Sequence, residues 1–327
     1  MAKSKLEIIV TDASGKPARI QEPIVLEGIE WETSRKGAPG KLTFTCIKDE
    51  TLSFPEGAHV RFTYDGAKVF YGFVFTKQRN KEHHIQVTAY DQLRYLKNKT
   101  SYIFSNIRAD QVVSRVAQDF LLKTGSLANT GYVIPKFNKE NMTLFDIILD
   151  AVDATVMATG NLYVLYDDFG KICLKHIKDT KIDLLINDST AEDFDYSTSI
   201  DSNTYNRIVL TDSEDKSEKN VVKAQDPKHI TQWGVLQYFE AMSNGGNTQA
   251  TADALLEMYN AVSRSLSIKG HFGDIRCRAG SGVYLDLNLG DLPQRRQHML
   301  VDKAKHVFNH DDHYMDLTLI GCEEFYG

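Results

Sequence analysis

The densest group of potential ligands in this sequence is His306-Val-Phe-Asn-His310-Asp-Asp-His313. Three imidazoles and two carboxylates within eight positions are the donor types that hold zinc or another transition metal. The same residues also read as the polar tip of a hairpin, between a strand ending near Phe308 and a second over Tyr314–Ile320. In extended backbone His306 and His310 share a face, whereas an Asp-Asp turn directs His313 elsewhere. His83-His84 occupies the corresponding loop of an earlier strand pair, which favours the loop reading at both places.

The other candidates are weaker. Asp167-Asp168-Phe-Gly170-Lys171 lacks the ligand spacing and the closing glutamate of a calcium loop, and reads as a hairpin turn. Gly37-Ala-Pro-Gly40-Lys41 lacks the spacing of a phosphate-binding loop, and no helix follows it. Glu56, Asp65 and Asp91 read as turn and strand-edge carboxylates. Cys46, Cys173, Cys277 and Cys322 lie far apart with no CxxC, so they read as small buried hydrophobes in a reducing compartment. No catalytic, cofactor-binding or metal-binding residue is assigned, no cofactor is implied, and the expectation is that the protein is not an enzyme.

The elements that surround these residues are mostly strands. Residues 57–96 form the clearest stretch. Val60, Phe62 and Tyr64 alternate with polar residues, Asp65-Gly66 supplies a hairpin turn, and Val69 to Thr76 is almost continuously apolar, as in a strand covered on both faces. After a charged loop (Lys77 to His83), Ile85, Val87 and Ala89 alternate again. The pattern returns later: Gly57 to Phe62 is echoed by Gly280 to Leu285, and Ile85 to Ala89 by Met315 to Leu319, with offsets of about 223 and 230 positions. Gly290 to Arg296 supplies the longer hairpin that the later copy needs.

Upstream, Leu6 to Val10, Ile24 to Trp31 and Leu42 to Cys46 are further strands, with a turn at Asp12 to Gly15. The composition then shifts. Val112, Val113, Val116, Ala117, Phe120 and Leu121 make one face of a helix over Ala109–Leu122, with Gly125 as its C-cap. A second helix starts at Asn141 as N-cap and buries Leu144, Ile147, Ile148, Ala151 and Val152. Asn161 to Tyr166 and Lys171 to Ile177 form a hairpin. Residues 179–218 are acidic, with Asp212, Glu214, Asp215 and Glu218 at a hairpin tip between Tyr205–Leu210 and Val221–Gln225. A strand is expected over Trp233–Ala241, a capping loop over 243–247, and a third helix with Ala250, Ala254, Leu255, Met258 and Val262 on one face. Strands resume over Leu266–Ile320.

A chain of 327 residues exceeds what one core usually serves. The expected fold is α+β and mainly β: two tube-like antiparallel β-barrel domains (1–100 and 196–327, the second with one helix) around an inserted helix-containing α+β domain (101–195). A formal charge of −6 argues against nucleic-acid backbone as the main partner, while allowing DNA to slide past. The amino terminus lacks the apolar run of a signal peptide and no segment is apolar enough to span a bilayer, so synthesis in a bacterial cytoplasm and no membrane insertion are expected.

Several segments carry a resemblance. Gly37 to Phe44, Val69 to Phe75 and above all Thr88-Ala-Tyr-Asp-Gln-Leu-Arg-Tyr-Leu-Lys-Asn-Lys99 resemble the XkdQ/YqbQ proteins, baseplate hub proteins of PBSX-like phage elements and related contractile tails. Asn141 to Ile147, Val164 to Gly170, Arg278 to Val283 and His306 to Leu317 fit the same family. The resemblance implies a homotrimeric structural hub in a virion baseplate or a tail-like bacteriocin particle. Such a hub joins a six-fold tail tube protein to a three-fold central spike protein. Further partners would be a LysM-type tail protein and a tape measure, with DNA only in transit. It gives Tyr90, Leu93, Tyr95 and Leu96 a structural role, locking the first β-unit onto the helical one, with Asp91 and Arg94 as an ion pair or cap. Two other readings stay open: a peptidoglycan-cleaving tail component, which needs paired carboxylates in a cleft, and a glycan-binding adhesin.

Overall fold

The computed structural model describes residues 4–11, 15–201, 204–212, 221–242, 248–290, 297–310 and 312–321. The turn at 12–15, the acidic tip at 214–218, the loop 243–247, the hairpin 290–296, Asp311 and Cys322 therefore lie wholly or partly outside the described residues.

The first β-unit comprises β1 (Ser4–Thr11), β2 (Pro17–Gln21), β3 (Ile29–Ser34), β4 (Lys41–Ile47), β5 (His59–Tyr64), β6 (Ala67–Arg79) and β7 (His84–Tyr90). Val60 and Phe62 of β5 and Ile85, Val87 and Ala89 of β7 are buried, as a period of two requires. Asp65 and Gly66 both take positive φ, 49° and 77°, the geometry of a two-residue hairpin turn. β6 is covered on both faces: Phe70 and Val74 are buried, while Phe73 and Phe75 rest on Tyr95 and Tyr90. It runs three residues further than the sequence suggests, so the charged loop is shorter and starts at Asn80.

A 3-10 turn (Gln92–Lys97) leads into the helical unit: β8 (Lys99–Ile107), α1 (Ala109–Asp119), β9 (Thr124–Leu127), β10 (Ile134–Thr143), α2 (Leu144–Thr159), β11 (Tyr163–Asp167) and β12 (Ile172–His176). The α2 face read from the sequence is the buried one, and so are Val112, Val113, Val116 and Ala117 of α1, whereas Phe120 is half-buried and Leu121 is exposed. The caps differ. α1 stops at Phe120, and Leu121 takes the left-handed turn (φ 55°). Gly125 lies in β9 instead, where a Cβ would press on the Cys173 sulfur at 2.5 Å. Thr143, not Asn141, caps α2: its hydroxyl accepts from the Asp146 N–H at 3.1 Å.

A second short 3-10 turn (Ile177–Thr180) precedes β13 (Lys181–Asn187) and β14 (Asp193–Ser199). Next come β15 (Arg207–Asp212), β16 (Val221–Gln225), α3 (Pro227–Trp233), β17 (Gln237–Met242) and α4 (Thr248–Tyr259). The chain finishes with β18 (Ser263–Phe272), β19 (Gly282–Asp286), β20 (Gln297–Phe308) and β21 (His313–Gly321). The strand expected from Trp233 starts at Gln237, because a helix comes first: Pro227 opens α3 and the Asp226 carboxylate accepts from the Lys228 N–H at 2.8 Å. The second unit thus carries two helices rather than one. α4 covers a separate small sheet, β16-β15-β17, through Ala252 and Leu255.

The two β-units share one topology. In the first, sheet neighbours run β1-β5-β6-β7-β4-β3; in the second they run β13-β19-β20-β21-β18-β14. Each strand has its counterpart in chain order as well, and the β15–α4 segment is an insertion between β14 and β18. Hydrogen bonds repeat too. Gly57 donates to Val74, while Val74 donates to Ala58; Gly280, Val301 and Ser281 make the same pair of bonds. One difference is that β13 pairs with β19 in parallel, whereas β1 and β5 are antiparallel.

The mainly β, antiparallel reading with an inserted helical unit holds. The ladders differ from two separately closed barrels: the units are fused in one 13-stranded sheet whose path ends openly at β14 and β2. Fusion occurs at β20. Along one edge it pairs with β21; along the other, Gln297–Leu300 pairs with β19 and Lys303–Phe308 pairs with β3. Phe308 belongs by sequence to the second unit but is buried in the core of the first, against Phe62 (ring centroids 4.9 Å) and Tyr64 (5.0 Å).

Truncating this side chain leaves a cavity at the seam. Phe308→Ala is expected to cost about 3–5 kcal/mol, read as a lowered urea midpoint; an unchanged midpoint would mean that the seam contributes little to stability.

Candidate functional site, a joint of three units

The structure parts His310 from the other two histidines of the cluster and brings those two together. His306 is fully buried on β20 and stacks on Trp31 with centroids 4.9 Å apart. His313, expected to point elsewhere, lies across the hairpin with its Nε2 2.9 Å from His306 Nδ1, while His310 is exposed at the tip. The cross-strand ladder accounts for this, because β21 already begins at His313, opposite Phe308. His306 Nε2 lies 2.8 Å from the Cys277 carbonyl oxygen. A carbonyl can only accept, so Nε2 carries the proton, and His313 Nε2 must donate to His306 Nδ1. Their depressed pKa values keep both rings neutral at pH 7. Burial, and then the neighbouring His313, hold His306 down to about 3; burial holds His313 down to about 4. Among the described residues no group of three or more His, Cys, Asp or Glu side chains is placed to hold a metal. Asp167–Gly170 is a hairpin turn, with the Gly170 N–H donating to Asp167 Oδ1 at 2.7 Å. His83 meets Arg79 at 2.9 Å in the β6–β7 loop, the counterpart of the β20–β21 loop.

The residues that gather the three units are Asp91, Asp167 and Arg278. Asp91 follows β7 directly; its carboxylate caps the 3-10 turn by accepting from the Leu93 N–H (3.0 Å) and reaches across to accept from the Gly40 N–H (2.8 Å). A side chain at residue 40 would collide with that carboxylate, so the loop read as a weak phosphate-loop candidate has its glycine for this contact. Arg278, in the loop before β19, donates to the Asp167 carbonyl at 2.8 Å. Its guanidinium lies 4.5 Å from the Tyr166 ring centroid and 5.8 Å from that of Trp31. One arginine of the second β-unit thus touches both other units. Burial, then the charge of Asp167, pushes Asp91 well above the ordinary carboxylate range, against the pull of the Gly40 N–H and Arg278. Asp167 is pushed up to about 6, again mainly by burial.

The AYDQLRYL stretch makes the rest of the joint. Leu93 and Leu96 are buried in the helical core with Val112, Leu144 and Ile148. Tyr90 and Tyr95 pack on Phe75 and Phe73 of β6. Gln92 clasps Lys123 through two bonds of 2.9 and 3.0 Å. The cap by Asp91 is as expected, but Arg94 does not join it: its guanidinium lies 5.3 Å over the Phe75 ring. The residues that sequence reasoning missed are the acceptor role of Asp91 toward Gly40 and the central place of Arg278. Neither has a local signal, since the partners lie 51 and 111 positions away.

Residues 29–320 match the family described as YQBQ-like. The "Phage-like element PBSX protein XkdQ" of Bacillus subtilis (strain 168) is 33% identical over 307 residues, covering 91% of this chain and 93% of that protein. Among solved structures, the 43 kDa tail protein of prophage MuSo2 from Shewanella oneidensis superposes with a TM-score of 0.69 at 11% identity, over 100% of this chain and 99% of its own. The E. coli c3393 protein, a type VI secretion component described as structurally similar to the T4 tail proteins gp27 and gp5, gives 0.56 at 11% identity over 98% and 78%. These two likenesses are likenesses of fold.

Two expectations follow from the buried charges. Arg278→Met removes the cation beside two buried carboxylates and should destabilise by about 3–5 kcal/mol. Asp167 holds its proton more tightly folded than unfolded, so its contribution is full below its unfolded pKa and is lost as pH rises through about 6. Without Arg278 that loss deepens, so the deficit in urea stability should be larger at about pH 7.5 than at about pH 5; the reverse order would contradict this account. The neutral histidine pair acts with the opposite sign. Its pKa values are depressed, so its contribution is full above about 6.5 and is lost as pH falls toward about 4. His313→Gln should make the wild-type fall in stability over that window shallower, and an identical slope would exclude a neutral pair.

Proposed function

This chain belongs to the YQBQ-like family, and from that membership we propose that it is a structural component of a contractile phage tail or tail-like particle. In this reading it is the baseplate hub, three copies forming a ring between the six-fold tail tube and a three-fold central spike. The observation that carries the reading is the repeated strand order: two β-units of one topology in each chain give three chains six similar faces. The joint at Arg278 supports it, since it fixes both units and the helical one in a single body. The working division is a first β-unit (1–100), a helical unit from 101, and a second β-unit that includes strands 181–199, which pair with it.

The β-strands would face an axial channel, with helices outside, and the acidic balance of the chain would let DNA or a tape-measure protein pass without adhering. The carboxylates that burial brings together, Asp91 and Asp167, serve the joint, which agrees with a structural rather than an enzymatic role. Tube protein, spike protein and a LysM-type tail protein are the expected neighbours. The protein would be made in a bacterial cytoplasm and end in the particle; among the described residues no helix is long and apolar enough to cross a membrane.

Light scattering over a concentration series, alone and with the spike protein, tests this. A species near three times 36.9 kDa is expected, without release of fragments from purified peptidoglycan. A stable dimer would be incompatible with a three-fold spike, and peptidoglycan cleavage would move the assignment to a lytic tail component.

A further inference from the structure

Resting on the ring reading, we propose that β14 of one protomer pairs antiparallel with the distal part of β6 in the next, as β3 pairs with β20 inside each chain. The argument starts from the internal seam. In the second unit β20 has a bulge between Val301 and Lys303, where its outer neighbour changes from β19 to β3. In the first unit β6 has the matching bulge between Val74 and Thr76, and β5 pairs with it only as far as Phe73. Beyond the bulge, that edge of β6 has no strand beside it among the described residues. Its side chains Thr76, Gln78 and Arg79 are exposed.

β14 is the counterpart of β3 and lies at one open end of the sheet. One edge bonds β18 along seven residues; the other has no strand partner among the described residues. Open edges of this length invite pairing, and neither Pro nor a covering helix blunts this one. Following the ladders from Val74 and Val301 outward aligns Ile29 with Phe194 and Trp31 with Tyr196. In the seam Ile29 and Trp31 are 5% and 4% exposed, whereas Phe194 is 38% exposed. β14 therefore presents on its core side an aromatic whose counterpart is covered by the neighbouring unit.

In the internal seam charge adds to the ladder, with Lys305 of β20 2.8 Å from Glu30 of β3. In the outer contact Thr76 and Gln78 hold the places of Lys303 and Lys305, and Lys77 and Arg79 lie on the other face, so this contact rests on backbone pairing and on cover for Phe194. The contact is head-to-tail: every unit offers one edge strand to the long strand of the next, an arrangement that closes as a ring or runs on as a filament. Carrying over the register of Glu32 with Lys305 sets Ser197 opposite Gln78, both exposed.

The test is the full-length Ser197→Cys/Gln78→Cys double variant, oxidised and run on a non-reducing gel, with each single variant as control and light scattering of the unoxidised protein. A covalent trimer that needs both cysteines is the expected result. Covalent polymers beyond trimer would uphold the edge pairing and overturn the closed ring. A trimer by mass without the 197–78 disulfide would overturn the edge pairing and leave the ring standing. Monomer at every concentration, with no disulfide, would overturn both.

Discussion

A β-strand has two edges, and in this protein β20 spends one of them on two different units. Its first residues pair with β19, completing the second unit; its last six pair with β3, which lies in the first. The side chains follow the backbone. His306 stacks beneath Trp31, and Phe308 fills the core around Phe62. Because backbone bonding and apolar burial coincide along the same six residues, the units cannot separate without exposing both N–H groups and aromatic surface. The relative position of the two β-units is thus set by sheet geometry, and flexible linkage plays no part in it.

The helical unit is held to this frame by fewer but costlier contacts. Asp91, Asp167 and Arg278 lie where the three units converge, and burying two carboxylates near one guanidinium is a poor source of stability. Its use is geometric. Two of the three reach backbone atoms of another segment, Gly40 for Asp91 and the Asp167 carbonyl for Arg278, while the Asp167 carboxylate accepts from Gly170 of its own turn. Apolar side chains of equal volume would tolerate sliding; directed bonds to single backbone atoms do not. The histidine pair beneath Trp31 works alike, two neutral rings fixed by a chain of hydrogen bonds ending on the Cys277 carbonyl.

Much of this was legible in the residues. Alternation marked the meander strands, a 3.6-residue stripe marked α1 and α2, and the echo of Gly57–Phe62 in Gly280–Leu285 marked the repeat. What could not be read were pairings set by tertiary contact. Gly125 looks like a helix cap and is instead a place where two strands and a sulfur crowd. Trp233 looks like the start of a strand because its neighbours are apolar, yet Asp226 and Pro227 had already started a helix. His313 was misplaced because a one-residue shift in a strand start reverses which face a side chain takes. At the joint, Asp91 was legible as a cap but not as the acceptor of Gly40, and nothing near Arg278 distinguishes it from any loop arginine.

The insertion of β15 to α4 between β14 and β18 has no counterpart between β3 and β4, where six residues make the same connection. Fusing two copies of a pattern in one gene uncouples their histories. A residue altered in a protein made of six identical subunits is altered at six places at once, so any change must suit every neighbour. Here each copy can drift alone. One carries a small sheet and two helices at its margin where the other has a short loop, so the two copies differ at their edges around strands that still obey a common plan.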